Sequence, residues 1–145
     1  MKKILILLFI IIPFNSIALE KKTTFSYDLF KKAQSDGKVV VVSSWIKYCP
    51  SCASQMKVLN KAKKEFNDIE YFTFDVTNKE ISNFFNVQYQ STILIFKNNQ
   101  EVYRSIGELS KDEIYKAINE VIYMYYILLG AAFAMLLYLS DKYII

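Results

Sequence analysis

Hydrophobic positions fall along this chain in blocks whose period changes from one block to the next. Residues 4–14 are an unbroken apolar run behind Met1-Lys2-Lys3, residues 39–42 are four consecutive valines, and residues 121–140 hold no charge at all. Between these, Met56, Leu59, Ala62 and Phe66 recur at steps of three and four, while residues 69–76 alternate and are rich in aromatics. A short β-branched run bounded by turn residues predicts a strand buried on both faces, and the three-four spacing predicts a helix with one apolar face. Alternation with aromatic enrichment predicts a second strand, parallel to the first and joined to it by that helix in a right-handed crossover.

The remaining elements follow from punctuation. Residues 26–34 read as a first helix with Ser26 as N-cap, stopped by Asp36-Gly37. Residues 78–85 read as a short helix capped by Asn78, with Ile81, Phe84 and Phe85 turned inward as core. Residues 92–97 and 101–105 make a hairpin about Asn98-Asn99, which tolerate the positive φ of a tight turn. Gly107 then permits a bend or bulge, and Ser110-Lys111-Asp112-Glu113 fits a capping box opening a last helix. Lys57, Lys61, Lys63 and Lys64 form a solvated face near the C-terminus of the second helix, where cations suit the dipole. Strands and helices in this order predict an α/β fold, a central mixed sheet flanked by helices.

Candidate chemistry enters with the only two cysteines, Cys49 and Cys52, which stand where the valine-rich strand ends and the helix begins. First-turn N–H groups are unpaired and the macrodipole is positive there, so a thiolate is favoured; Pro50 suits N1, where no N–H is needed. Cys49 is then the low-pKa attacking sulfur, and Cys52, one turn in and facing the strand, the resolving one. Two other readings compete. A structural disulfide closing so short a loop gains little from loop closure, and a zinc or iron–sulfur site would need a second chain, since there is no histidine and no third cysteine. No cofactor and no metal is therefore assigned.

From about residue 25 to 121 the chain resembles the thioredoxin family, carrying in that family's order Trp45 after the strand, Cys49-Pro50-Ser51-Cys52, and the hairpin from Thr92 to Gln100. Residues 30–38 are also similar to the helix and Gly-Lys turn of thioredoxin-like domains in periplasmic thiol–disulfide interchange reductases. The resemblance implies dithiol–disulfide exchange with disulfide-containing protein substrates, Cys49 and Cys52 as catalytic residues, and Trp45, Tyr48, Pro50 and Ser91 as substrate-binding or supporting ones. Two positions depart from the family. Ser43 stands where many members carry a buried carboxylate, and a hydroxyl is no general base at neutral pH. Ser91 stands where the family has a cis-proline; a non-proline cis bond costs roughly 3 kcal/mol, so this peptide is expected trans, with a backbone N–H restored beside the dithiol. The centre also lacks the histidine of strongly oxidising members, which favours a reductase.

The chain ends settle the expected location. The basic start, eleven-residue apolar run and Ser16-Ile17-Ala18 read as a signal peptide over residues 1–18, too short to span a bilayer. Twenty uncharged residues, 121–140, cover about 30 Å as a helix and carry tyrosines toward both ends, which predicts a transmembrane span with residues 141–145 as a cytoplasmic tail. Residues 19–119 would be the redox domain, close to the bilayer. After cleavage the 16 basic and 14 acidic residues left give a charge of only +2, which leaves no footing for nucleic acid. The Lys-, Ile-, Asn- and Tyr-rich composition points to a bacterium with an AT-rich genome. The expected protein is a membrane-anchored thiol–disulfide oxidoreductase of the periplasm, partnered by disulfide-containing proteins, the inner membrane and a membrane-bound electron donor. The alternative is a redox-inactive thioredoxin scaffold that binds client or membrane proteins.

Overall fold

A computed structural model describes residues 22–143; the predicted signal peptide lies outside them, as do residues 144 and 145 of the tail. The elements run α1 (Tyr27–Ser35), β1 (Val39–Trp45), α2 (Pro50–Glu65), β2 (Ile69–Asp75), α3 (Lys79–Phe85), β3 (Thr92–Lys97), β4 (Gln100–Ile106) and α4 (Lys111–Tyr143). The four strands form one sheet in the order β2-β1-β3-β4. β1 pairs with β2 in parallel, as the crossover predicts, and with β3 antiparallel.

All seven residues of β1 are buried, because each face of the sheet carries its own core. Val39 and Val41 point into an aliphatic cluster with Leu59 and Ala62 of α2 and Ile114, Ala117 and Ile118 of α4. Val40 and Val42 point into the opposite cluster, dominated by Phe25, Phe30, Phe72, Phe74 and Phe85 under α1 and α3. Strand alternation thus sorts aliphatic from aromatic side chains, and the aromatic rings meet mostly edge to face.

Several local expectations are met and several shift. Asn78 caps α3 by accepting from the N–H groups of Glu80 and Ile81. Asn98 and Asn99 both take positive φ in the two-residue hairpin turn. Ser26 occupies the N-cap of α1, but its side chain makes no cap hydrogen bond. Phe84, expected inward, is half exposed: Ile81 and Phe85 already fill the buried face of a helix only seven residues long, and the Phe84 ring lies over Tyr27 at the rim. Gly107 makes the bend at φ +78°, while the bulge lies earlier, where Ile95 pairs with Tyr103 and Phe96 with Glu101, leaving Val102 unmatched. At α4 the Glu113 N–H donates to Ser110 Oγ, but the return arm of the capping box comes from Glu108, whose carboxylate accepts the Ser110 N–H at 2.7 Å.

α4 is one uninterrupted helix with two surroundings. Ile114, Ala117, Ile118 and Val121 pack on the sheet, whereas Tyr123, Met124 and nearly every large apolar side chain from Ile127 to Tyr138 are exposed. It is the one helix among the described residues long and apolar enough to cross a membrane. Its start lies at the C-terminal end of β1, where Gln55 Nε2 donates to the Glu108 carbonyl. Its exit lies at the opposite end, where Ile122 and Tyr126 line a crevice with Gly37, Val39 and Asp68.

Candidate active site: a dithiol under a serine loop

Cys49 is the N-cap residue of α2, with Pro50 at N1, so the thiol stands where the helix presents free N–H groups. Its Sγ accepts the Cys52 N–H at 3.1 Å. The two sulfurs form a disulfide across a Cα separation of 5.4 Å. Cys52 is wholly buried and Cys49 is 8 % exposed, so of the two residues only Cys49 reaches the surface. Trp45, Cys49, Cys52 and Met56 make a small apolar cluster of their own. Tyr48, next to Cys49, stands at φ +61° and is 85 % exposed, and Lys47 Nζ lies 5.0 Å from its ring centroid.

The loop before β3 closes over this cluster, and Ser91 is its contact point. No peptide bond among the described residues is cis, and Ser91 sits at φ +56°, a conformation that L residues adopt at a cost. Its N–H, which a proline would lack, donates to the Ser44 carbonyl at 2.9 Å. Its carbonyl accepts from Gln55 Nε2 and from the Gly107 N–H, each at 2.9 Å. Its hydroxyl lies 3.3 Å from Cys52 Sγ, 3.9 Å from Cys49 Sγ and 3.4 Å from Ser51 Oγ, which is itself 3.2 Å from Cys49 Sγ.

Ser43, at the position of the family's carboxylate, is fully buried and shares a 2.8 Å hydrogen bond with the Tyr71 hydroxyl. Burial pushes the Tyr71 phenol well above its ordinary value, against the smaller opposing pull of the Ser43 hydrogen bond, so neither partner is a base at neutral pH. Among the described residues no cluster of His, Cys, Asp and Glu is arranged to hold a metal ion.

Three residues of this site escape a reading of the sequence: Ser51, Ser44 and Gln55. Ser44 Oγ donates to the Tyr89 carbonyl and accepts the Thr92 N–H, so it fixes both sides of the serine loop. Gln55 is fully buried and ties Ser91 to Glu108 through one amide nitrogen. The available signal was a polar residue three positions after Cys52, inside the apolar stripe of α2.

Comparison with known proteins agrees with this geometry. The family described as Thioredoxin matches residues 17–120. Thioredoxin H-type of Fagopyrum esculentum is 29% identical over 86 residues, which cover 59% of this chain and 73% of that protein. A thioredoxin of Mycoplasma genitalium is 30% identical over 83 residues, 57% of this chain and 81% of its own. Among solved structures, Trxlp from Edwardsiella tarda EIB202 superposes with a TM-score of 0.61 at 31% identity, covering 65% of this chain and 94% of that one. With a cysteine pair at disulfide distance on the first turn of a helix, this chain belongs to the thioredoxin family and is a thiol–disulfide oxidoreductase.

Proposed function

We propose that the protein is a membrane-anchored reductase that exchanges its dithiol with disulfides of protein substrates outside the cytoplasm. Cys49 is the nucleophile. The observation that carries this is the N-cap placement of its sulfur, which accepts the Cys52 N–H, in the more exposed residue of the pair. Cys49 thiolate attacks a substrate disulfide, forming a mixed disulfide and expelling one substrate sulfur. Cys52 then loses its proton and attacks Cys49 Sγ; the second substrate sulfur leaves as a thiolate and takes up a proton. Two electrons pass to the substrate, whose two sulfurs take up one proton from Cys52 and one from solvent, and the enzyme ends as the Cys49–Cys52 disulfide. Trp45 and Pro50 hold the pair, while the exposed Tyr48 ring and the Ser91 loop flank the bound substrate.

The exposed apolar stretch of α4 supports the anchor, since a surface of that size in water marks a membrane or protein contact. With residues 1–18 acting as an export signal, the domain lies outside and residues 141–145 inside. The domain is expected close to the bilayer from its sequence, and the dithiol lies at the end of the sheet away from the helix exit. The seven residues of β1 set it about 20 Å farther out. A membrane-bound electron donor would therefore reach it through an extramembrane domain.

Two measurements test the reading. The reduced full chain in detergent should cleave a small aromatic disulfide reporter well above background, and Cys49→Ser should return the rate to background. An alkaline phosphatase, active only after export, should work when fused after Glu108 and fail after Ile145. Background rates in the wild-type chain would favour the inactive binding scaffold, and the reverse fusion pattern would put the dithiol in the cytoplasm.

A further inference from the structure

The serine at position 91 does more than fill the place of a proline. Both of its backbone polar groups are committed within the fold, the N–H to Ser44 and the carbonyl to Gln55 and Gly107. The side-chain hydroxyl of this buried residue is what remains, and its neighbours are Cys52 Sγ at 3.3 Å, Ser51 Oγ at 3.4 Å and Cys49 Sγ at 3.9 Å. Cys52 has no exposed surface, so its thiolate, the form that must attack the mixed disulfide, loses hydration. Ser43 and Tyr71 supply no carboxylate to help deprotonate it, as shown above.

We propose that Ser91 is a further catalytic residue, whose hydroxyl donates a hydrogen bond to the Cys52 thiolate and so makes the resolving step possible at neutral pH. The inference rests on the exchange reading above and specifies how its second step works. The bookkeeping is that of that step: the Cys52 S–H proton goes to the departing substrate sulfur by way of solvent, the electron pair of the thiolate forms the Cys49–Cys52 bond, and the Cys49–substrate bond breaks. Ser91 keeps its own proton and stabilises the charge while it exists. Gln55 and Ser44 are positioning residues that hold Ser91 at φ +56°, and Ser51, 3.2 Å from Cys49 Sγ, serves the other sulfur.

The test reads Cys52 alone. In the full chain carrying Cys49→Ser, in detergent, the Cβ chemical shift of isotope-labelled Cys52 is followed against pH, with and without Ser91→Ala and Ser91→Gly. Glycine accepts positive φ freely, so the second variant removes the hydroxyl without backbone strain. Both should raise the Cys52 pKa by about one unit, the scale of one hydrogen bond to a charged group. In the chain with both cysteines, Ser91→Gly should slow resolution of a preformed Cys49 mixed disulfide about tenfold. An unchanged Cys52 titration in either folded variant overturns the proposal. A purely structural role for Ser91 would lower the melting temperature and leave the titration in place. Failure of the exchange reading would appear instead as a wild-type chain with no turnover, whatever the Cys52 titration shows.

Discussion

At the C-terminal end of β1 a set of buried hydrogen-bonding side chains, Ser43, Ser44, Ser91, Thr92 and Gln55, gathers round a disulfide that packs on Trp45 and Met56. At the N-terminal end of the same strand the domain closes on α4, which leaves as a bare apolar rod. The first end places polar atoms where water is absent, and most find a protein partner; Gln55 Oε1 and Trp45 Nε1 are the exceptions there among the described residues. The second end places apolar atoms where the protein offers no partner. A single sheet therefore joins a site governed by hydrogen bonds to a surface governed by transfer from water.

The largest effect should come from removing the second end. A chain ending at Met124 loses the exposed stretch from Ile127 to Leu139, whose transfer to lipid is worth on the order of 10 kcal/mol or more. It should move almost wholly from the membrane pellet to the soluble fraction, with exchange rates unchanged. Retention in the pellet would show that the N-terminal apolar run is the anchor, and the contrast between the ends would lose its meaning.

A smaller effect should come from forcing the family's residue into the first end. Ser91→Pro removes the N–H that donates to Ser44 and demands a φ near −65° where the chain has +56°. Urea unfolding should show a loss of about 3 kcal/mol. An unaltered midpoint would mean that the loop readily takes up the proline geometry, and that the Ser44 contact contributes little.

The smallest effect should appear near the exit, where Glu70 pairs with Lys38 and Lys63. Partial burial raises the Glu70 pKa, but the hydrogen bonds and charges of the two lysines outweigh it and hold the carboxyl below its ordinary value of 4.5. A depressed carboxyl adds stability above its unfolded pKa and loses it as pH falls through the folded one. Glu70→Gln should therefore cost about 0.5 kcal/mol at neutral pH and nothing at acid pH below the folded value. Unfolding curves at both pH values check this, and an equal loss at both would assign the effect to packing instead of charge.

How much of this was legible in the residues depended on range. The strand at the four valines, the strand-to-helix junction at Cys49 with Pro50 at N1, the Asn78 cap and the Asn98-Asn99 turn are each readable, because each is decided by a few adjacent residues. Gln55, Ser44 and the inward-turned N–H of Ser91 were not, because their roles arise only when β1, α2 and the loops before β3 and α4 meet. The bulge at Val102 has the same origin: it arises from pairing with β3 and carries no glycine to announce it.

The unbroken course of α4 fixes more than attachment. The only prolines are Pro13 and Pro50, so the helix from Lys111 to Tyr143 has no proline joint, and its first half is locked to the sheet. Anchored as proposed, the domain and its mast tilt as one body. A tilt of about 20° would swing a dithiol some 20 Å above the exit sideways by roughly 7 Å while changing its height by little more than 1 Å. The enzyme would thus patrol a thin disc parallel to the bilayer, and would select clients by the altitude at which they present a disulfide.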